Sequence, residues 1–107
     1  MGFFDFLHGP DINQGVKEYG GLEGAVLLDV RTPQEYREGR IPGGKNVPLQ
    51  ELSRVAGVAA EKDTPIFVYC RSGARSRQAV SALQHMGYQR VKNIGGISAY
   101  TGKVEIV

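Results

Sequence analysis

Two short runs, AVLLDV (25–30) and PIFVYC (65–70), constrain this chain more than any other feature. A strand with one wet face alternates apolar and polar residues, whereas an almost unbroken apolar run needs cover on both faces. RVKNI (90–94) and the stretch KNVPL (45–49) are weaker strand candidates. Helical patterns fall between them. TPQEYREG (32–39) opens with Thr32 as N-cap, Pro33 at the first helical position and Glu35 as a capping-box acid. LQELSRVAGVA (49–59) carries Leu49, Leu52, Val55 and Ala56 on one face. RSRQAVSALQHMG (75–87) places Ala79, Leu83 and Met86 on one side, flanked by Val80 and Ala82, and Gly87 stops it. An early helix is expected over 13–19, ended by Gly20 and Gly21. Strands alternating with helices imply right-handed crossovers and an α/β fold, a mainly parallel sheet with helices on both faces.

The 107 residues suit one domain spanning 1–107, and an apolar fraction of 41% is compatible with a packed core. Thirteen Lys and Arg oppose eleven Asp and Glu, and no run of basic residues forms a stripe. A net charge of +2 argues against nucleic acid as a partner. No segment approaches the roughly 20 apolar residues needed to span a bilayer, so no membrane role is expected. The start MGFFDFLHG lacks the basic head and long apolar run of a signal peptide. Gly2 hints at myristoylation, but Phe6 stands where Ser or Thr is required. Phe3, Phe4, Phe6 and Leu7 are read as cover for an open edge of the core.

Cys70 is the only cysteine, which excludes an internal disulfide and a zinc site built on several thiolates. A lone thiol fits a reducing compartment, and the expected location is the cytoplasm. His8 and His85 have no metal-ligand companions and read as surface or packing residues, so neither metal nor cofactor is expected.

Cys70 closes a buried strand, and CRSGARS (70–76) leads at once into a helix. In parallel sheets ligands bind beyond the carboxyl ends of strands, where the spare N–H groups of the next helix point back at the loop. A free thiol, with a pKa of about 8.5, is mostly protonated at neutral pH. Three features should lower that value: the helix dipole, the charges of Arg71 and Arg75, and Gly73, which lets the chain curl so that several N–H groups converge on one anion. Cys70 is therefore read as a thiolate nucleophile that solvent can reach. An inert buried cysteine would need neither two arginines nor a glycine hinge.

These residues carry a resemblance. CRSGARS is similar to the active-site loop of single-domain rhodanese-like sulfurtransferases. VLLDVRTPQEYREGRIPGGKNVPL (26–49) resembles that family's strand, Asp-x-Arg, short capped helix and Gly-x-Ile-Pro-Gly turn. NIGGISAY (93–100) resembles its Gly-Gly segment after the last strand, and about residues 11–101 are covered in all. The resemblance implies five mainly parallel strands. It also implies that Cys70 attacks the outer sulfur of an anionic donor such as thiosulfate, releases sulfite, and passes the sulfur from a persulfide to cyanide, a cellular thiol or a protein acceptor. The backbone N–H groups of Arg71, Ser72, Gly73, Ala74 and Arg75 would cradle the sulfur. The Arg71 and Arg75 side chains would attract the donor and stabilise the departing oxyanion. Asp29, Arg31 and Ser76 are read as supports of the loop, and Glu35 as a helix cap.

The chain departs from the family at two positions. Arg40 stands where His often precedes Ile-Pro-Gly, and Tyr100 where Trp is common, with a short tail TGKVEIV that truncates or replaces the last family helix. Three other readings compete. A cysteine phosphatase spaces its Arg so that it would fall at position 76, which is Ser, and a loop one residue shorter suits one sulfur better than a phosphate. Arsenate reduction fails on similar grounds. A persulfide carrier or redox-sensing interaction module would use the same thiolate without turnover.

Overall fold

The computed structural model describes residues 9–106. Helix α1 (Ile12–Gly20) begins where the Asp11 side chain accepts hydrogen bonds from the N–H groups of Asn13 and Gln14, a cap absent from the sequence reading. Strand β1 (Val26–Asp29) leads to the short helix α2 (Pro33–Glu38), whose Thr32–Glu35 capping box forms as its sequence predicts. Strand β2 (Gly44–Asn46) is followed by a 3-10 segment (Leu49–Gly57), kinked at Glu51, in place of the α-helix expected over 49–59. Leu52 and Val55 still bury their side chains and Leu49 is partly buried against the same cluster, but Ala56 is exposed, because the tighter winding turns it off the predicted face. Strand β3 (Ile66–Cys70), helix α3 (Ala74–His85) and strand β4 (Val91–Gly96) complete the core, and a short 3-10 turn (Ile97–Ala99) follows.

The sheet has four strands in the order β2–β1–β3–β4, and every pairing is parallel. Five strands were implied by the family resemblance, and this is a correction. Residues 9–25 hold a capped helix and a glycine-rich turn, which leaves no strand before β1 among the described residues. Late in the chain, Arg40 and Glu105 form only an isolated antiparallel bridge. Residues 100–106 are not helical; they run back to that bridge as a strap.

Side chains of the central strands alternate between two apolar clusters, which explains their unbroken hydrophobicity. Leu28, Val30, Val68 and Cys70 face α3 and the 3-10 segment, packing with Val55, Ala79, Leu83 and Tyr88. Leu27, Phe67 and Tyr69 face the other way, against Ile12, Ile41 and Ile94. Burying a side chain of this size contributes about 1.5–3 kcal/mol, so the two faces together fix strand register and hold the ends of β1 and β3 level. No helix among the described residues is long and apolar enough to cross a membrane. The Phe3–Leu7 segment, His8 and the proposed edge cover lie outside the described residues.

Candidate active site

Cys70 is the last residue of β3, and Arg71, Ser72 and Gly73 form the whole connection to α3. Gly73 has φ +105°, a left-handed conformation that a residue with a Cβ adopts only under strain. This bend turns the Gly73 N–H onto the sulfur at 3.0 Å. Burial pushes the Cys70 thiol up, but hydrogen bonds from the Ser76 hydroxyl and from the backbone N–H groups of Ser76, Gly73 and Ser72 outweigh it, and the pKa is lowered. The Ser76 amide is one of the first-turn donors that a helix leaves unpaired. The Gly73 amide makes the direct hydrogen bond and those of Ser72 and Ser76 also lower the pKa, while the sequence predicts N–H groups from residues 71–75 around the sulfur.

Two expectations about charge and access are corrected. Cys70 is only 1% exposed and belongs to the apolar cluster under α3, so its sulfur forms the floor of the loop and is not open to solvent. Arg75 does not face an open anion site, because its guanidinium makes a two-pronged pair with Glu35, Nη1 to Oε1 at 2.7 Å and Nη2 to Oε2 at 3.0 Å. Glu35 is therefore more than a cap. The Arg75 guanidinium, helped by Thr32, holds its carboxyl down at about 2. Arg71 is exposed and has no ion-pair partner among the described residues. It lines a groove of about 440 Å³ together with Arg31, Glu35, Glu38, Ser98 and Val104.

Asp29 and Arg31 bind each other and not the loop. The Arg31 Nη2 lies 2.6 Å from Asp29 Oδ2, Nε reaches both carboxylate oxygens, and both residues are buried. Arg31 also donates to the Gly39 carbonyl, and Asn46 donates to the carbonyls of Asp29 and Arg31. The pair supports the wall that carries residues 39–46, which stands beside the groove, rather than Cys70 itself. Arg40 sits in that wall, its guanidinium 4.5 Å from the Tyr36 ring centroid and its backbone bridged to Glu105. His85 is exposed, with its Nδ1 at 2.8 Å from the Ser81 carbonyl. Among the described residues no cluster of three His, Cys, Asp or Glu could hold a metal.

The Gly-Gly segment explains how the loop is pressed into shape. Val68 pairs with Asn93 but Tyr69 pairs with Gly95, so Ile94 is an extra residue in β4. Beyond this irregularity, a methyl group on Gly96 would overlap the Arg71 carbonyl and the Ser72 Cα. The Ser98 N–H donates to that Arg71 carbonyl at 3.1 Å. The carbonyl is thereby held toward β4, which leaves the following N–H groups free to turn toward the sulfur. Asn93 also bonds Ser76, a partner the sequence reading missed; its only trace is an Asn two residues before a Gly-Gly pair.

The family model for the rhodanese-like domain matches residues 14–103. The chain belongs to the rhodanese-like sulfurtransferase family. It is 39% identical over 71 residues to thiosulfate sulfurtransferase PspE of Escherichia coli, covering 65% of this chain and 68% of that protein. It is 43% identical over 79 residues to a sulfurtransferase of Allochromatium vinosum, covering 73% of each. A solved structure described as rhodanese with anions, from Escherichia coli, superposes with a TM-score of 0.73 at 33% identity, covering 78% of this chain and 99% of that one. The rhodanese-like family accounts for the α/β fold with its parallel sheet.

Proposed function

We propose that this protein is a thiosulfate sulfurtransferase that works through a persulfide on Cys70. The observation that carries the reading is the Gly73 N–H bonded to the Cys70 sulfur at 3.0 Å, with the Ser72 and Ser76 N–H groups adding to the lowering of the thiol pKa. The Cys70 thiolate attacks the outer sulfur of thiosulfate. The donor's S–S bond breaks, its electron pair leaves on sulfite, and Cys70 holds the transferred sulfur as a persulfide anion. A second nucleophile, cyanide or a thiolate, then attacks that outer sulfur; the Cys70–sulfur bond breaks and the pair returns to Cys70 as thiolate. No net oxidation occurs, and no metal or cofactor is required.

The chain's own groups divide this work. Amides of Ser72, Gly73 and Ser76 stabilise the negative charge on the resting thiolate sulfur and would offer donors to the outer sulfur. Arg71, exposed at the groove, supplies the charge that draws an anionic donor in. Arg75, bound to Glu35, keeps α2 and α3 together beside the groove. A small anionic donor and a thiol or protein acceptor are the proposed partners. Steady-state formation of thiocyanate from thiosulfate and cyanide, lost in Cys70→Ser, tests this reading; absence of multiple turnovers in the intact protein would overturn it.

The burial of Cys70 favours one second reading, a persulfide carrier that is loaded once and discharged by a protein partner. In that case sulfur loads onto Cys70 stoichiometrically, but small acceptors do not sustain turnover.

A further inference from the structure

Ser76 has one hydroxyl proton and three acceptors within reach. Its Oγ lies 2.7 Å from Asn93 Oδ1, 3.1 Å from the Gly73 carbonyl and 3.5 Å from the Cys70 sulfur. The Ser76 residue is fully buried, so water does not enter this competition. The orientation of the Asn93 amide is set by its neighbours: Oδ1 accepts from the Gly95 N–H at 3.0 Å, and Nδ2 donates to the Gly73 carbonyl at 3.4 Å. The irregularity in β4 is what brings Asn93 and Gly95 into this arrangement. We propose that Asn93 is a positioning residue that acts through Ser76, its side-chain carbonyl competing with the Cys70 sulfur for the single Ser76 hydroxyl proton.

The competition has two ends. When Cys70 is a thiolate, the hydroxyl turns to the sulfur, and Asn93 Oδ1 keeps the Gly95 N–H. When Cys70 is a neutral thiol, or its inner sulfur is capped in a persulfide, the sulfur is a poor acceptor and the proton goes to Asn93. Hydrogen bonds to charged acceptors are stronger than those to neutral ones, so a small change at sulfur is enough to move the proton. Asn93 then restrains ionisation of Cys70 while giving Ser76 a partner in the sulfur-loaded state. The functional meaning rests on Cys70 being the reacting sulfur, as proposed above; the proton competition itself does not.

The charged groups on the elements packed about Cys70 are Arg71 and Arg75 on its own loop and helix, Arg77 and His85 exposed further along α3, Glu35 on α2 bound to Arg75, and the mutually paired Asp29 and Arg31 at the end of β1. On β4, Lys92 points away to Glu18, and on the 3-10 segment Glu51 and Arg54 pair with each other in solvent. All are left unchanged in the test.

The test is a pH titration of the thiolate ultraviolet absorbance, assigned to Cys70 because it is the only cysteine and read as the difference from the matching Cys70→Ser protein, which removes the signal of the five tyrosines. It compares the intact protein, Asn93→Ala, Ser76→Ala and the double variant. Asn93→Ala should lower the midpoint by about half to one pH unit, the scale of one hydrogen bond. Ser76→Ala should raise it. In the Ser76→Ala background, the Asn93 substitution should do nothing further. A midpoint unchanged or raised in Asn93→Ala, or an equal shift in both backgrounds, overturns the proposal, because a merely structural role for Asn93 does not depend on the Ser76 hydroxyl. Should Asn93→Ala fail to fold, Asn93→Asp retains both acceptor contacts. It should raise the midpoint more with Ser76 present than in the Ser76→Ala background, and an equal rise overturns the proposal. None of these readouts requires sulfur transfer, so failure of the proposed activity is distinguishable from failure of this inference.

Discussion

Glu35 and Arg75, forty positions apart, clamp the start of α2 to the first turn of α3 through two charge-assisted hydrogen bonds of 2.7 and 3.0 Å. The carboxylate also accepts from the Thr32 N–H, so one side chain caps its own helix and anchors the active-site helix. The folded-state pKa of Glu35 is depressed to about 2 from an ordinary 4.5. Its contribution is therefore fully present above about pH 4.5 and is lost as pH falls toward 2. Both side chains are partly exposed, so solvent screening reduces the contribution to about 1–2 kcal/mol. Glu35→Gln should lose that amount in urea unfolding at pH 7, and its stability should fall less steeply than that of the intact protein between these pH values. Equal slopes for the two proteins would contradict the assignment.

Arg71 and Arg75 should separate kinetically. Arg71 is exposed at the groove, and its charge acts on the approaching donor. Arg71→Ala should raise the KM for thiosulfate about five- to tenfold with little change in kcat, and added salt should shrink the difference. A fall in kcat at unchanged KM would show that the charge acts at the transition state instead.

Gly96 tests the shape of the loop. A Cβ there meets the Arg71 carbonyl and the Ser72 backbone, neither of which can swing aside like a side chain. Gly96→Ala should destabilise by about 2–3 kcal/mol and displace the amides from the sulfur, raising the thiol midpoint. Gly57, with nothing within 4 Å of its would-be Cβ, is the control, and Gly57→Ala should stay within about 0.5 kcal/mol. Similar losses in both would contradict the close contact between β4 and the loop.

Asp29 is fully buried against Arg31. Asp29→Asn leaves the guanidinium charge buried without its counter-ion, and should cost about 3–5 kcal/mol in denaturant unfolding. Because the pair supports the 39–46 wall and makes no bond to the Cys70 loop, the thiol midpoint should move much less than in Ser76→Ala. A large shift of that midpoint would place Asp29 in the sulfur's own environment.

Much of this was legible in the residues. The apolar runs mark β1 and β3 because both faces are covered, and Thr32, Pro33 and Glu35 mark the start of α2 through local capping chemistry. CRSGARS announces a strand-end thiol beside a helix start. What stayed hidden depends on packing between distant segments. The depth of Cys70 follows from which face of β3 it occupies, the α3 face, and not from its neighbours in sequence. The pairing of Arg75 with Glu35 joins two helices forty positions apart, so two loop cations became one cation facing the groove and one structural tie. Asn93 reaches Ser76 because it pairs with Val68, whose side chain faces α3, and no local pattern in the sequence marks that register. The count of strands was better read from the two apolar runs and the two weaker candidates than from the family resemblance, since residues 9–25 had no strand pattern to offer.

The central claim is that Cys70, held by inward amides, accepts and gives up a single sulfur. Intact mass measured after incubation with thiosulfate tests it most directly. The account predicts a gain of one sulfur atom, reversed by cyanide and absent in Cys70→Ser. An unchanged mass in the folded protein, or a gain that persists in Cys70→Ser, would contradict it.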